Sequence, residues 1–190
     1  MKINEIFYSL QGEGFWTGTP IVFVRFAGCN LNCSFCDTDW TRFKEMTPQE
    51  IVTEILRFPA RRVCLTGGEP CLQTTIEFVE LLHQEGFTVH METNGTILPP
   101  QGIDWITLSP KDQFVSEAKP VLKECNELKV LFPSNPQEYD CIRADYRFLQ
   151  PIDSSDKQLS QENLKSTMDY LMEHPEWRLS LQTHKILNIK

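Results

Sequence analysis

No stretch of the 190 residues approaches the length and apolarity of a membrane span. The opening segment, MKINEIFYSLQGEG, has no apolar core of the kind a secretory leader carries. Basic charge is scarce: 18 Lys and Arg stand against 26 Asp and Glu, a net charge of −8, so the electrostatic footprint of a nucleic-acid binder is missing. Low-complexity tracts and internal repeats are lacking, and a hydrophobic content of 41% excludes a disordered chain. The four histidines form no pair. The seven cysteines are odd in number, and without a leader before them a disulfide framework is not expected. These absences leave a single domain, 1–190, in a reducing compartment, the cytoplasm, with neither membrane nor nucleic acid as partner.

Against that background, three cysteines fall within eight residues: Cys29, Cys33 and Cys36 in GCNLNCSFCDT. The spacing C-x-x-x-C-x-x-C lets three thiolates converge on one centre, which suits an iron–sulfur cluster or zinc. Their setting among Gly and Asn argues against three small core hydrophobes. A structural zinc site wants a fourth Cys or His at regular spacing, and Cys64, Cys71, Cys125 and Cys141 are scattered singly. A cluster held by three cysteines leaves one iron open to another ligand. Spacing alone leads to a three-cysteine iron–sulfur protein, with zinc as the rival.

The rest of the chain alternates short apolar strands with helical patterns. Strands are expected at 21–26, 62–66, 88–92, 105–108, 127–131, 146–149 and 179–181. Thr47-Pro48-Gln49-Glu50 combines an N-cap, Pro at the first helical position and Glu three residues after the cap. Ile51, Ile55 and Phe58 follow at helical spacing. A second helix carries Ile76, Val79 and Leu82 and stops at Gly86, and a third, about 161–173, places Leu164, Met168, Leu171 and Met172 on one face. Alternation of this kind implies a parallel sheet with right-handed crossovers. A closed eightfold barrel takes about 250 residues, so the expectation is an α/β fold with an open, partial TIM-like barrel of about six core parallel strands. Chemistry belongs at the C-terminal strand ends, where the polar clusters 28–38, 66–70, 92–95, 109–111, 150–153 and 182–185 all fall.

The three-cysteine spacing resembles the signature of the radical S-adenosylmethionine (SAM) enzymes, and Gly67-Gly68-Glu69-Pro70 resembles their second motif, whose backbone and carboxylate suit the SAM ammonium. The segment Ser9-Leu10-Gln11-Gly12-Glu13-Gly14, with Arg25, Cys36-Asp37-Thr38 and the ending Gln182-Thr183-His184-Lys185, is similar to the 7-carboxy-7-deazaguanine synthase family nearly end to end. That resemblance implies a barrel of the radical SAM type and a lyase of queuosine biosynthesis. The lyase converts 6-carboxy-5,6,7,8-tetrahydropterin to 7-carboxy-7-deazaguanine with loss of ammonia, through a SAM-derived radical and with SAM regenerated.

It also implies three cofactors, a 4Fe–4S cluster, SAM and Mg2+, and the residues that serve them. Cys29, Cys33 and Cys36 hold the cluster. Phe35, Cys36, Asp37, Gly68, Ser109, Pro110, Lys111, Gln150, Pro151, Ile152 and Asp153 line the SAM site. Leu10, Gln11, Gly12, Arg25 and Thr66 face the pterin, Arg25 pairing with the substrate carboxylate through its guanidinium fork, or with Glu13 in the empty enzyme. Glu92 and His184 support the substrate, and Thr38 binds magnesium. An external one-electron donor such as a flavodoxin and a homodimer are the implied partners. The stretch 39–46 is brief, leaving no room for a long helix after the cysteines. A glycyl-radical-enzyme activase is the alternative within the radical SAM class, and a non-catalytic iron–sulfur or zinc module is the alternative outside it.

Overall fold

The computed structural model describes residues 1–36, 38–39 and 41–190. Among them nine strands run β1 (Lys2–Leu10), β2 (Pro20–Phe26), β3 (Lys44–Glu45), β4 (Arg62–Gly67), β5 (Thr88–Thr93), β6 (Trp105–Leu108), β7 (Glu124–Phe132), β8 (Arg143–Pro151) and β9 (Arg178–Leu179). The helices are α1 (Pro48–Ile55), α2 (Ile76–Gln84), α3 (Lys157–Glu173) and α4 (Thr183–Leu187). All nine strands share one sheet, ordered β3-β1-β2-β4-β5-β6-β7-β8-β9. From β2 to β9 every pairing is parallel, whereas β1 lies antiparallel to β2 and β3. The sheet is therefore an open partial barrel, with six parallel strands at its centre and the two-residue β9 at one edge.

Alternation along each strand sorts the residues. Val22, Val24 and Phe26 of β2 pack outward with Val63, Leu65, Val89 and Met91, beneath Ile51, Ile55, Phe78 and Leu82 of α1 and α2. A second outer cluster joins Leu108, Leu128, Val130 and Leu149 to Trp177. Inward-facing Ile21, Phe23 and Cys64 form a small apolar group with Phe7 of β1. The helix start at Thr47 is a complete capping box. The Thr47 hydroxyl accepts the Glu50 N–H at 3.2 Å and Glu50 Oε2 accepts the Thr47 N–H at 2.7 Å. Burial of Ile51 and Ile55, both 0% exposed, contributes about 1.5–3 kcal/mol apiece.

Three features differ from the sequence expectation. β1, a strand of nine residues, carries no clean alternation because it lies near the antiparallel edge and is mostly half-buried. The helix α3 begins at Lys157, capped by Asp156. It rests on Asn163 and Thr167, while Met168 is 45% and Met172 86% exposed. Its apolar stripe is thus split: Leu171 packs against the second cluster with Tyr170, the two methionines face out, and on the contact face Asn163 Nδ2 donates to the Ile152 carbonyl at 2.9 Å. The last strand sits at 178–179 rather than 179–181. After the cysteines, β3 pairs with β1, where the shortness of the segment left no room for a long helix.

Candidate active site

The C-terminal ends of the parallel strands surround a cavity of about 660 Å³, within the range of small-molecule sites. The loop that leaves β2 brings Cys29, Cys33 and Cys36 to its wall, all three as free thiols. Backbone from the next strand holds this loop. The Gly68 N–H donates to the Phe26 carbonyl at 3.0 Å, and the Glu69 N–H to the Gly28 carbonyl at 2.9 Å. A Cβ on Gly68 would overlap the Gly28 carbonyl, and Gly67 has φ 114°. Both glycines are demanded by this close approach. Burial raises the thiols of Cys29 and Cys33 above their ordinary value, so iron would have to displace their protons on binding. Three thiols on one irregular loop, facing an open cavity, fit a cluster with one free iron position.

Glu69 does not reach the cavity. It is 0% exposed, and its carboxylate accepts from the Cys71 N–H at 3.0 Å, the Thr93 hydroxyl at 2.8 Å and the Asn94 N–H at 2.8 Å. This corrects the expectation of a SAM-facing carboxylate: three donors turn Glu69 inward to tie the ends of β4 and β5 together.

Gln11, Thr66 and Glu92 form one chain. Glu92 Oε1 accepts from Gln11 Nε2 at 3.0 Å and Oε2 from the Thr66 hydroxyl at 3.0 Å. Gln11 Oε1 in turn accepts the Glu13 N–H at 3.1 Å. Glu13 forms a short ion pair with Lys129 of β7 and accepts from Gln182 Nε2 at 2.9 Å. Burial drives the Glu13 carboxyl upward, but the Lys129 charge and the hydrogen bonds from Lys129 and Gln182 outweigh it and hold the group low. Glu13, the alternative partner for Arg25 in the empty enzyme, is therefore taken by the buried ammonium of Lys129.

Arg25 pairs instead with its cross-strand neighbour Glu5, Nε to Oε1 at 3.0 Å, and its Nη1 donates to the Thr38 hydroxyl at 3.3 Å. Burial opposes ionisation of Glu5, yet Lys190 and Arg25 keep its carboxyl below the ordinary range. Lys111 donates to the Ser109 carbonyl and hydroxyl, both at 2.6 Å. Burial and repulsion by Lys129 lower its ammonium to about 8.

The cavity brings together nearly all the residues expected from sequence. The three cysteines, Phe35, Thr38, Gly68, Ser109, Lys111 and the stretch 150–153 line it, as do Leu10, Gln11, Gly12, Arg25, Thr66, Glu92 and His184. Pro110 is buried behind the wall and is not among the lining residues. Asp37 lies outside the described residues. His184 stands against Gly12, where a Cβ would overlap its ring. Sequence reasoning missed Lys129, Glu5 and Lys190, which also line the cavity. The signal for Lys129 lay in Glu127-Leu128-Lys129-Val130, where two charged residues share the face opposite the apolar ones.

Comparison with known proteins identifies the chain's relatives. Residues 23–111 match the model of the Radical SAM superfamily. The chain is 47% identical to the 7-carboxy-7-deazaguanine synthase of Bacteroides thetaiotaomicron, with all of this chain and 98% of the relative covered. It is 41% identical to that of Burkholderia multivorans, with 98% of each covered. The crystal structure of QueE from Escherichia coli superposes with a TM-score of 0.76 at 28% identity, covering 95% of this chain and 92% of that one.

Proposed function

This chain belongs to the 7-carboxy-7-deazaguanine synthase family of radical SAM lyases, and from that premise we propose how its residues divide the reaction. The substrate is 6-carboxy-5,6,7,8-tetrahydropterin, the product 7-carboxy-7-deazaguanine, and ammonia is lost. One observation carries the reading: the Gln11–Glu92–Thr66 chain, the Glu13 carboxylate and the Arg25 guanidinium all face the cavity that the three cysteines also face.

Cys29, Cys33 and Cys36 would hold a 4Fe–4S cluster. Phe35 and Cys36, Gly68, Ser109, Lys111 and the stretch 150–153 would take SAM, with Asp37 and the buried Pro110 assigned to it by resemblance alone. Cluster and SAM together supply one-electron cleavage and hydrogen-atom abstraction, the chemistry that the protein itself lacks. The chain's own task is placement. Arg25 offers its fork to the substrate carboxylate, and its existing bond to the Thr38 hydroxyl puts that hydroxyl beside the same carboxylate. Thr38 would hold Mg2+, a hard cation suited to hydroxyl, carboxylate and water oxygens. Glu13, Gln11 and Glu92 offer acceptors to the amino and ring N–H groups of the pterin, and His184 closes the edge next to Gly12. An external one-electron donor such as a flavodoxin, and a homodimer, belong to the same reading and rest on family membership. The seven unpaired thiols suit a reducing compartment such as the cytoplasm.

Anaerobic incubation of the reconstituted protein with SAM, reductant, Mg2+ and the carboxytetrahydropterin tests the proposal. The expected product is lighter than the substrate by one ammonia, with SAM not consumed in proportion. SAM cleavage without any change in the pterin would overturn the substrate assignment.

A further inference from the structure

Glu127 is 3% exposed and is not among the described residues that line the cavity. It stands one inward position before Lys129 on β7, and its Oε2 accepts the Phe15 N–H at 3.0 Å. Gly14, at φ 64°, lies so close that a Cβ there would overlap Glu127 Oε1. A carboxylate pressed against one residue's backbone while accepting the next residue's amide is a seat for that turn. The turn is the one that carries Gln11 and Glu13 into the cavity.

Other contacts hold the same segment from neighbouring sides. The Gly14 N–H donates to Ser180 Oγ at 3.0 Å, and the Phe15 ring packs on Tyr146 and Trp105 with centroids 4.3 and 5.0 Å apart. The Glu127 carboxylate meets the turn at the backbone of Gly14 and Phe15, directly after Glu13, while Thr183 holds the Gly12 carbonyl on the other side.

We propose that Glu127 is a positioning residue for substrate: by holding the backbone of Gly14 and Phe15 it fixes the level at which Gln11 and Glu13 meet the ligand, without touching the ligand itself. The proposal rests on the reading that Gln11 and Glu13 face the pterin. Its carboxyl, raised to about 7 by burial against the pull of Lys129, presents an acceptor oxygen in either protonation state. Glutamine keeps that acceptor and the shape of the side chain, whereas alanine removes both.

The test compares Glu127→Ala and Glu127→Gln holoenzymes in three measurements. In the alanine variant, equilibrium binding of the carboxytetrahydropterin weakens at least tenfold. Iron content and substrate-free reductive cleavage of SAM stay within twofold of the parent. Chymotryptic cleavage at Phe15 or Trp16, mapped by mass, becomes faster. Glutamine restores pterin affinity to within threefold and restores protection of the turn. Parental pterin affinity in Glu127→Ala overturns the proposal, as do a parallel loss of SAM cleavage and failure of glutamine to rescue. If the parent enzyme itself binds no pterin, the substrate reading fails. The proteolysis then still decides whether Glu127 seats the turn.

Discussion

Replacing Lys129 with Met exposes what this lysine does inside the barrel. Methionine keeps an unbranched chain of similar length, so packing is largely retained, but the positive charge between Glu13, Glu92 and Glu127 is gone. The side chains of Lys129 and Glu13 are 6% and 14% exposed, and removing one member of a buried ion pair costs roughly 3–5 kcal/mol. With a urea m-value of about 2 kcal/mol/M, the unfolding midpoint should fall by roughly 2 M at pH 8. The pH dependence fixes the cause. In the parent, the folded pKa of Glu13 lies below its unfolded value of 4.5, so the group contributes stability above 4.5 and loses it as pH falls through the folded value. Without Lys129, burial is no longer outweighed, the folded pKa rises above 4.5, and the sign reverses. The carboxyl then takes up a proton on folding and the penalty shrinks in acid. Glu127, already raised to about 7 by burial, moves further in the same direction. The gap between parent and variant should be wide at pH 8 and clearly narrower at pH 5. Urea denaturation of the iron-free chain under reducing conditions, followed by far-ultraviolet circular dichroism, measures it. An equal gap at both pH values, or a gap below about 1 kcal/mol at pH 8, would show that Lys129 does not carry this buried charge cluster.

Arg25→Lys keeps the charge beside Glu5 but loses the fork, so pterin affinity should fall by roughly 1–3 kcal/mol while SAM binding is unchanged; calorimetric titration of both ligands checks this. Gly68→Ala drives a methyl group into the Gly28 carbonyl, displacing the cysteine loop. Iron and sulfide analysis after reconstitution should show severalfold lower loading with the fold retained. Thr38→Ala should raise the magnesium concentration needed for turnover and leave SAM binding near that of the parent. Equal activity of that variant at every magnesium concentration would remove Thr38 from the metal site.

The six central strands were legible because each is a short β-branched or aromatic run closed by glycine, proline or a polar cluster, and α1 because its capping box is written in four consecutive residues. The positions of the cavity residues followed from the same rule, since strand ends of a parallel sheet converge. Partners were harder. For Arg25 the sequence suggests the substrate carboxylate, or Glu13 in the empty enzyme, but antiparallel β1 places Glu5 directly across from it, and β1 itself has no clean period. Glu69 reads as facing SAM because a carboxylate at a strand end, in a motif resembling the second one of radical SAM enzymes, suits an ammonium group. The donors that turn it inward, on Cys71, Thr93 and Asn94, come mostly from another strand. In α3 the apolar period marked only part of the contact face: Leu171 packs against the core, but the most buried positions are Asn163 and Thr167 and the two methionines face out. Choices among several nearby charges depend on register and distance, which a linear pattern does not contain.

The hydrogen bonds from Gly68 and Glu69 to the backbone of Phe26 and Gly28 bear on how the enzyme is assembled. In a small zinc domain the metal organises the chain around itself. Here two amides at the end of β4 shape the entry to the cysteine loop, and their strand is fixed by a core that contains no metal ligand. The entry to the cysteine loop is thus tied to the sheet by bonds that involve no thiolate. The expected consequence is that the cluster loads onto a folded chain: stripping the iron should leave the far-ultraviolet circular dichroism and the urea unfolding transition largely unchanged, and reconstitution should restore the iron.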